Sequence, residues 1–288
     1  MREPVQNALE LRGVSRSFKD FSLQNISLTL PSGCIMGLIG ENGAGKSTTI
    51  RLIMDSLRRD AGSIRVLGVE NTAPEFQQVK EDIGVVLDEA YFPEVLNATQ
   101  VGKIMAATYR QWEADTFADY LRTFELPADR QFKDFSRGMK MKLAIAVALS
   151  HQPKLLILDE ATSGLDPIVR DDILDIFAEF TRDPGHSILI SSHILSDLEK
   201  LCDYVAFLHK GKLLFCEEKD RLLEEYGIVA CTSEQLRAIP KEAFVSAERS
   251  KYGARALVKR GALPTELQAE HASIEDIILF MVKGETNR

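Results

Sequence analysis

The sequence is poor in the features that mark membrane-spanning and nucleic-acid-binding proteins. None of the apolar runs in its 288 residues approaches the ~20 residues that span a bilayer. The segment Met1–Pro4 has no apolar signal-peptide core. The 35 basic and 43 acidic residues are interspersed and give a net charge of −8, so no basic patch favours DNA or RNA. We therefore expect a cytoplasmic protein that binds no nucleic acid.

Cysteine is scarce as well. The four cysteines form no C-x-x-C pair, and the five histidines show no metal-ligand spacing. Two or three of the cysteines lie in apolar runs, which is typical of reduced thiols buried in a cytosolic protein. A disulfide framework and a structural zinc site are therefore not expected.

What the sequence does contain is a glycine-rich loop at residues 40–48 that fits G-x-x-x-x-G-K-[ST]. It follows an apolar run at 34–39 and precedes a segment, 47–57, with helical spacing of apolar residues. Such a loop wraps its N–H groups around phosphate, while the lysine reaches the β- and γ-phosphates and the serine hydroxyl ligates Mg²⁺. We predict nucleotide binding at Gly40, Asn42, Gly43, Ala44, Gly45, Lys46, Ser47 and Thr48. The alternative is a glycine-rich turn before an ordinary helix.

A second motif is an apolar run at 154–158 that ends in Asp159 and Glu160. A run that is apolar at every position is typical of a central parallel strand, and ligands bind at the carboxyl ends of such strands. We predict that Asp159 holds Mg²⁺ and that Glu160 accepts a proton from the water that attacks the γ-phosphate. The alternative is a solvated strand end.

Four further motifs occur in a characteristic order. They are Phe18, Phe135–Met139 (Phe-Ser-Arg-Gly-Met), Ala161–Pro167 (Ala-Thr-Ser-Gly-Leu-Asp-Pro), and His193 after two serines. With them, the chain resembles the ATP-binding subunit of an ABC transporter over residues 8–216. The three later motifs stand where that family has its signature, its D-loop and its switch histidine.

The resemblance implies roles for these residues. Phe18 would stack on adenine, and His193 would act with Glu160 in catalysis. Ser136 and Gly138, at the start of a predicted helix, would face the γ-phosphate held by the other subunit, and Asp166 of the D-loop would join the nucleotide-binding residues. The alternatives are a core residue for Phe18, a plain N-cap for Ser136 and an ordinary satisfied polar side chain for His193.

The chain departs from the family pattern in its Q-loop and in its signature. Asp88 stands where the family has the Q-loop glutamine, and as a carboxylate it is a candidate Mg²⁺ ligand. Arg137 and Met139 replace a signature glycine and glutamine. The sequence leaves open whether Arg137 reaches toward phosphate or is solvated. Similar Ser-Lys/Arg-Gly-Met variants occur in the subgroup whose partners are ABC-2-type membrane proteins.

The resemblance also implies the fold, which is α/β with a P-loop NTPase core. Strand-like alternation at 8–35 and 62–87 predicts the antiparallel β subdomain, and a helical subdomain covers about 89–153. Together these form an ABC ATP-binding domain at 1–216. We predict that residues 217–288 form a small C-terminal accessory α+β region, for packing or dimerisation or, alternatively, for regulation.

The predicted function is ATP hydrolysis by a dimer that encloses two ATP molecules and drives a separate transmembrane permease, an exporter. The dimer is a homodimer or a heterodimer with a related ATPase subunit, and it lies on the inner face of the cell membrane. One alternative is a soluble ABC-type ATPase acting on DNA, ribosomes or metal-cluster assembly. The long heptad insertion of the DNA-repair relatives and the second nucleotide domain of the translation relatives are both missing. Another alternative, a regulator without turnover, is disfavoured by Glu160 and His193.

Overall fold

The computed structural model describes residues 7–88, 92–250, 253–264 and 267–284. The chain divides into two compact units, Met1–Cys216 and Glu217–Arg288. None of the helices in the described part of the chain is both long enough and apolar enough to cross a membrane.

A ten-stranded sheet, ordered β5-β4-β1-β2-β10-β9-β3-β8-β7-β6, organises the first unit. Its strands are β1 (Asn7–Ser17), β2 (Ser22–Pro31), β3 (Ile35–Gly40), β4 (Ala61–Val66), β5 (Val69–Glu70), β6 (Ile83–Val86), β7 (Leu155–Asp159), β8 (Ser187–Ser192), β9 (Tyr204–His209) and β10 (Lys212–Glu218). β1 pairs antiparallel with β2 and β4, whereas β3 pairs parallel with β8 and β9. β7 runs parallel to β6 and β8.

The parallel strands are the ones that carry the predicted site. Every residue of β3, β7 and β8 is buried, as expected for strands covered on both faces. Their carboxyl ends meet at one edge of the sheet, so Gly40, Asp159 and Ser192 end neighbouring strands there. The alternation at 62–87 predicts only antiparallel strands, and this is wrong for β6, which pairs parallel with β7.

Ten α-helices lie in the described residues. They are α1 (Lys46–Ile53), α2 (Phe76–Val79), α3 (Ala98–Thr108), α4 (Ala114–Thr123), α5 (Arg137–Leu149), α6 (Pro167–Phe180), α7 (Leu195–Leu201), α8 (Lys219–Glu225), α9 (Ser233–Ala238) and α10 (Ile274–Lys283). The helix predicted from apolar spacing at 47–57 is confirmed as α1, and the helix predicted to start at Ser136 and Gly138 is confirmed as α5. α3 begins at Ala98, because Asn97 and Gln100 form a capping box there.

The second unit is an α+β structure around a four-stranded antiparallel sheet, ordered β12-β13-β11-β14. The strands are β11 (Tyr226–Cys231), β12 (Phe244–Ser250), β13 (Gly253–Lys259) and β14 (Glu270–His271). α10 is capped by Ser273 and packs on β12, where the Ser246 hydroxyl donates to the carbonyl oxygen of Phe280 at 2.7 Å.

Candidate nucleotide-binding site

The loop between β3 and α1 needs glycine at three places, for different reasons. Gly43 and Gly45 have φ angles of 81° and 113°, which L-residues with side chains rarely adopt. A Cβ on Gly45 would lie 2.5 Å from Leu23 Cδ1, and a Cβ on Gly40 would lie 2.6 Å from the carbonyl oxygen of Leu208. A Cβ on Gly43 would meet no described atom within 4 Å. The space over Gly43 is therefore open to a ligand.

Lys46 begins α1 and is only 6% exposed. Its Nζ donates to the carbonyl oxygen of Gly40 at 2.7 Å and lies 3.5 Å from Oε1 of Glu160. The lysine thus connects its own loop with the end of β7. A buried ammonium held by a carbonyl oxygen and a carboxylate is available to a phosphate group that enters the loop.

The other loop residues present different surfaces. Ser47 and Asn42 are exposed, and Thr48 is half-buried. Ala44 is buried; its N–H donates to the carbonyl oxygen of Glu41 at 3.0 Å, and its own carbonyl oxygen accepts from Gly211. The Ser47 hydroxyl is therefore accessible at the N-terminal end of α1, where the helix dipole favours an anion.

Asp159 ends β7 and is buried. Its Oδ1 accepts a hydrogen bond from the hydroxyl of Ser191, the residue opposite it on β8, at 2.5 Å. No hydrogen bond from a described residue reaches the other oxygen, Oδ2. A carboxylate oxygen and the exposed hydroxyl of Ser47 are the hard oxygen ligands that Mg²⁺ prefers, so the residues present fit a magnesium ion.

Glu160 follows β7 with an unusual backbone. Its φ is 53°, a left-handed conformation that is strained for a residue other than glycine. Its N–H donates to Oγ and to the carbonyl oxygen of Ser191, both at 3.1 Å. Oε2 of its carboxylate lies 2.5 Å from Nδ1 of His193, and Oε1 faces Lys46. The structure thus brings together Lys46, Asp159, Glu160 and His193.

A second group of predicted residues lies around the start of α5. Ser136 is the N-cap of this helix, and its Oγ accepts from the N–H of Met139 at 3.2 Å. A Cβ on Gly138 would lie 3.5 Å from Leu165 Cδ2, and Asp166 is the N-cap of α6. In the described chain, no hydrogen bond or ion pair joins this group to Lys46 or Glu160. A single chain therefore carries two separate sets of predicted site residues.

Phe18 lies in the turn between β1 and β2 and is 43% exposed, so it is not a core residue. The guanidinium carbon of Arg16 lies 5.4 Å from the centre of its ring, and Arg16 is itself paired with Asp60 at 2.7 Å. The Ser17 backbone N–H and then the Arg16 guanidinium lower the pKa of Asp60. These contacts fix the turn and leave the Phe18 ring partly exposed, and its stacking on adenine stays a prediction.

Asp88 is exposed and follows β6. The next residues, 89–91, lie outside the described part of the chain. The role of Asp88 as a metal ligand therefore stays a prediction.

Two buried residues are missed by the motifs, one at the site and one away from it. Ser191 contacts both Asp159 and Glu160, and the signal for it is its position two residues before His193, on the strand that pairs with β7. His151, after α5, is buried between the carbonyl oxygens of Val147 and Ile83. No sequence signal indicates the His151 contacts, because they depend on how α5 packs on β6.

Comparisons with known proteins support the same assignment. The model of the ABC transporter family matches residues 23–163. The ABC transporter ATP-binding protein YtrB of Bacillus subtilis is 32% identical over 219 residues, which are 76% of this chain and 74% of YtrB. The lantibiotic transport ATP-binding protein SrtF of Streptococcus pyogenes is 35% identical over 215 residues, covering 74% of this chain and 91% of SrtF.

Solved structures show the same fold. An ATP-binding subunit of an ABC transporter superposes with a TM-score of 0.68 and 29% identity, covering 75% of this chain and 91% of that one. The dimeric ATP-binding cassette MJ0796, bound to ADP and Pi, gives a TM-score of 0.66 at 21% identity, covering 73% and 98%. Fold and site together define a P-loop ATPase. More particularly, the chain belongs to the family of ABC transporter ATP-binding proteins.

Proposed function

We propose that this ATPase binds Mg²⁺-ATP between two protomers and uses its hydrolysis to power a separate membrane permease of the exporter type. The observation that carries the proposal is the position of the Glu160 carboxylate, held between His193 and Lys46 at the end of β7. A carboxylate fixed beside a phosphate-binding loop is placed to take a proton from water.

The chemistry follows from these contacts. When a triphosphate enters the loop, its β- and γ-phosphates attract Lys46 away from Glu160. Glu160 then accepts a proton from the attacking water, whose oxygen forms the new bond to the γ-phosphorus while the bond to ADP breaks. His193 keeps the carboxylate oriented during this step. Ser47 and Asp159 would hold Mg²⁺, which supplies positive charge to the phosphate oxygens.

The dimer is supported by the second group of site residues. Ser136 is exposed at the positive end of α5, and in this chain it is not joined to Lys46 or Glu160. A second protomer that brings its own Ser136 and Gly138 would complete each nucleotide site. The MJ0796 cassette is described as a dimer in a post-hydrolysis state. The partner protomer is a second copy of this chain or a related ATPase subunit.

The permease and the exporter assignment are supported by relatives. SrtF is named for lantibiotic transport and BcrA of Bacillus licheniformis for bacitracin transport; BcrA is 35% identical over 195 residues, 67% of this chain and 63% of BcrA. The cbiO1 protein is described as part of the transporter complex cbiONQ. Leu87, Val95 and Ile104 expose apolar side chains before and within the helical region, where a permease would dock. The ATPase would then lie on the inner face of the membrane.

The two units fit different parts of this function. We place nucleotide binding in residues 1–216, with the helical subdomain at about 89–153. We regard residues 217–288 as an accessory region that packs or supports dimerisation. No residue of the proposed nucleotide site lies in the second unit.

The variant Glu160→Gln tests the hydrolytic mechanism. It keeps the size of the side chain and removes the proton acceptor, so turnover should fall by about 10²–10⁴-fold while ATP binding persists. Size-exclusion chromatography should then show a dimer that forms with Mg²⁺-ATP and not with Mg²⁺-ADP. The control is Glu179→Gln on the exposed surface of α6, which should behave like the parent. Near-parental hydrolysis by Glu160→Gln would contradict the proposal.

The permease is tested separately. The tagged chain, purified from detergent-solubilised membranes of its own cells, should bring with it a multispanning membrane protein encoded beside it. ATPase activity of the co-purified complex should exceed that of the isolated chain. Recovery of the chain only from the soluble fraction, with no membrane protein, would contradict transport and leave the ATPase assignment intact.

A further inference from the structure

Arg137, which stands in place of a family glycine, lies flat against Gly164. Its Cζ, Nε and Nη1 are each 3.3 Å from the position that a Cβ on Gly164 would take. Three atoms of one planar group can be equally far from a point at this distance only if the point lies above their plane. The face of the guanidinium therefore covers Gly164, and a side chain at position 164 would disturb the contact.

The loop under Arg137 begins at Glu160. The N–H of Ser163 donates to the carbonyl oxygen of Glu160 at 2.9 Å, and Ala161 and Thr162 are buried. At its far end the loop is fixed by Asp166, the N-cap of α6. Between these anchors lies Gly164, which is exposed and has a φ of 75°.

Restraint of this loop matters because of the backbone of Glu160. A non-glycine residue at a φ of 53° is strained and persists only where its surroundings hold it. Gly164, two residues after the buried Thr162, adds conformational freedom to the loop that follows Glu160. Among described residues, the Arg137 side chain makes no hydrogen bond or ion pair, so its contact with Gly164 is the interaction that orders its guanidinium.

We propose that Arg137 is a positioning residue for Glu160, acting through its contact with Gly164. This rests on the proposed role of Glu160 in hydrolysis. The first turn of α5 then supports the loop at two places, Arg137 over Gly164 and Gly138 beside Leu165. The turn that carries Ser136 is thereby linked to the proton acceptor of the same chain.

Steady-state ATPase kinetics of Arg137→Ala test this proposal. We expect kcat to fall by about 10-fold, because small displacements of a catalytic group have large effects on rate, while KM stays within about 2-fold. Arg122→Ala is the matched control, since it removes an exposed arginine from another helix of the same region and should leave both constants unchanged. Arg137→Lys should not restore kcat, because lysine keeps the charge and lacks the flat guanidinium.

A second measurement does not depend on activity. Hydrogen exchange at residues 161–165 should become faster in Arg137→Ala and stay parental in Arg122→Ala. In a double-mutant cycle, Gly164→Ala should lower kcat less in the Arg137→Ala background than in the parent, because no guanidinium remains to be displaced.

Several results would overturn the proposal. They are parental kcat and exchange in Arg137→Ala, full rescue by lysine, additive effects in the cycle, or a raised KM at unchanged kcat. The last would mean that Arg137 contacts nucleotide instead. Failure of the proposed function is distinguishable, since it would appear as a parent protein whose hydrolysis does not depend on Glu160.

Discussion

Nδ1 of His193 and Oε2 of Glu160 lie 2.5 Å apart. The histidine ring is 55% exposed, whereas the glutamate side chain is 16% exposed and reaches Lys46 with its other oxygen. The solvent-exposed histidine thus holds the more buried glutamate. If nucleotide draws Lys46 away, the bond from His193 is the contact that keeps the carboxylate in place.

Replacement of His193 by alanine should therefore lower kcat strongly and leave ATP binding nearly unchanged. We expect a loss of about 10²-fold, similar to the loss of a general acid–base group, because Glu160 is no longer oriented. Phosphate release and the affinity for a fluorescent ATP analogue measure the two effects. The control is His186→Ala, since His186 stacks on Phe180 away from the loop. A parental kcat in His193→Ala would show that the hydrogen bond has no catalytic role.

Local sequence patterns predict the parts of the site that depend on neighbouring residues. The spacing of the glycines with Lys46 predicts the loop, and the apolar run before Asp159 predicts a buried strand. The structure confirms the helix that follows the loop and the strand that ends at Asp159, because each depends on only a few consecutive residues. The order of strands then brings Glu160 and His193 together, since β7 and β8 pair in parallel.

Contacts between distant segments are what the sequence does not predict. The Arg137 guanidinium covers Gly164, although the sequence suggests only a phosphate contact or a solvated side chain. Ser191 bonds Asp159 between two adjacent strands, and its place before His193 does not by itself indicate this hydrogen bond. Such contacts depend on register and packing, which follow from the whole sheet and not from a local pattern.

His151 should make the fold sensitive to acid. Burial lowers its pKa, and this outweighs the opposing effect of the carbonyl oxygens of Val147 and Ile83. A histidine whose pKa is lower in the folded than in the unfolded state stabilises the fold above the unfolded pKa of about 6.5. That stabilisation is lost as pH falls, because the unfolded chain binds the proton first.

Thermal unfolding of His151→Gln at about pH 7.5 and about pH 5.5 measures this effect. The midpoint of the parent should fall more between these two pH values than the midpoint of the variant. His186→Gln is the matched control and should keep the parental pH dependence, since it leaves His151 intact. Equal pH dependence in parent and His151→Gln would show that His151 does not titrate on unfolding.

Asp88 should influence the Mg²⁺ concentration that ATP hydrolysis requires. If its carboxylate replaces the family's glutamine as a ligand of Mg²⁺, Asp88→Gln should keep ATPase activity within roughly several-fold of the parent. Asp88→Ala should raise the half-saturating Mg²⁺ concentration more than it weakens ATP binding. Mg²⁺ titrations at fixed ATP measure this, with Asp115→Ala on the exposed face of α4 as control. Identical curves for all variants would identify Asp88 as a solvated loop acid.

Ser191 should control the affinity for Mg²⁺ through Asp159. Its hydroxyl donates to Oδ1 of Asp159 and accepts from the N–H of Glu160, so it fixes both carboxylate-bearing residues. Groups that orient a metal ligand typically contribute about 10–100-fold to metal affinity. Ser191→Ala should therefore raise the half-saturating Mg²⁺ concentration within this range.

The neighbouring serine supplies a matched control for that prediction. Ser192 is equally buried on β8, but its Oγ accepts from the N–H of Ile194 at 3.0 Å and, among the described residues, makes no hydrogen bond to Asp159. Ser192→Ala makes the same chemical change one residue further along the strand, and its Mg²⁺ titration should match the parent. If both alanine variants shifted the titration equally, the effect would come from a loosened strand end. A shift confined to Ser191→Ala would assign it to the hydrogen bond that orients Asp159.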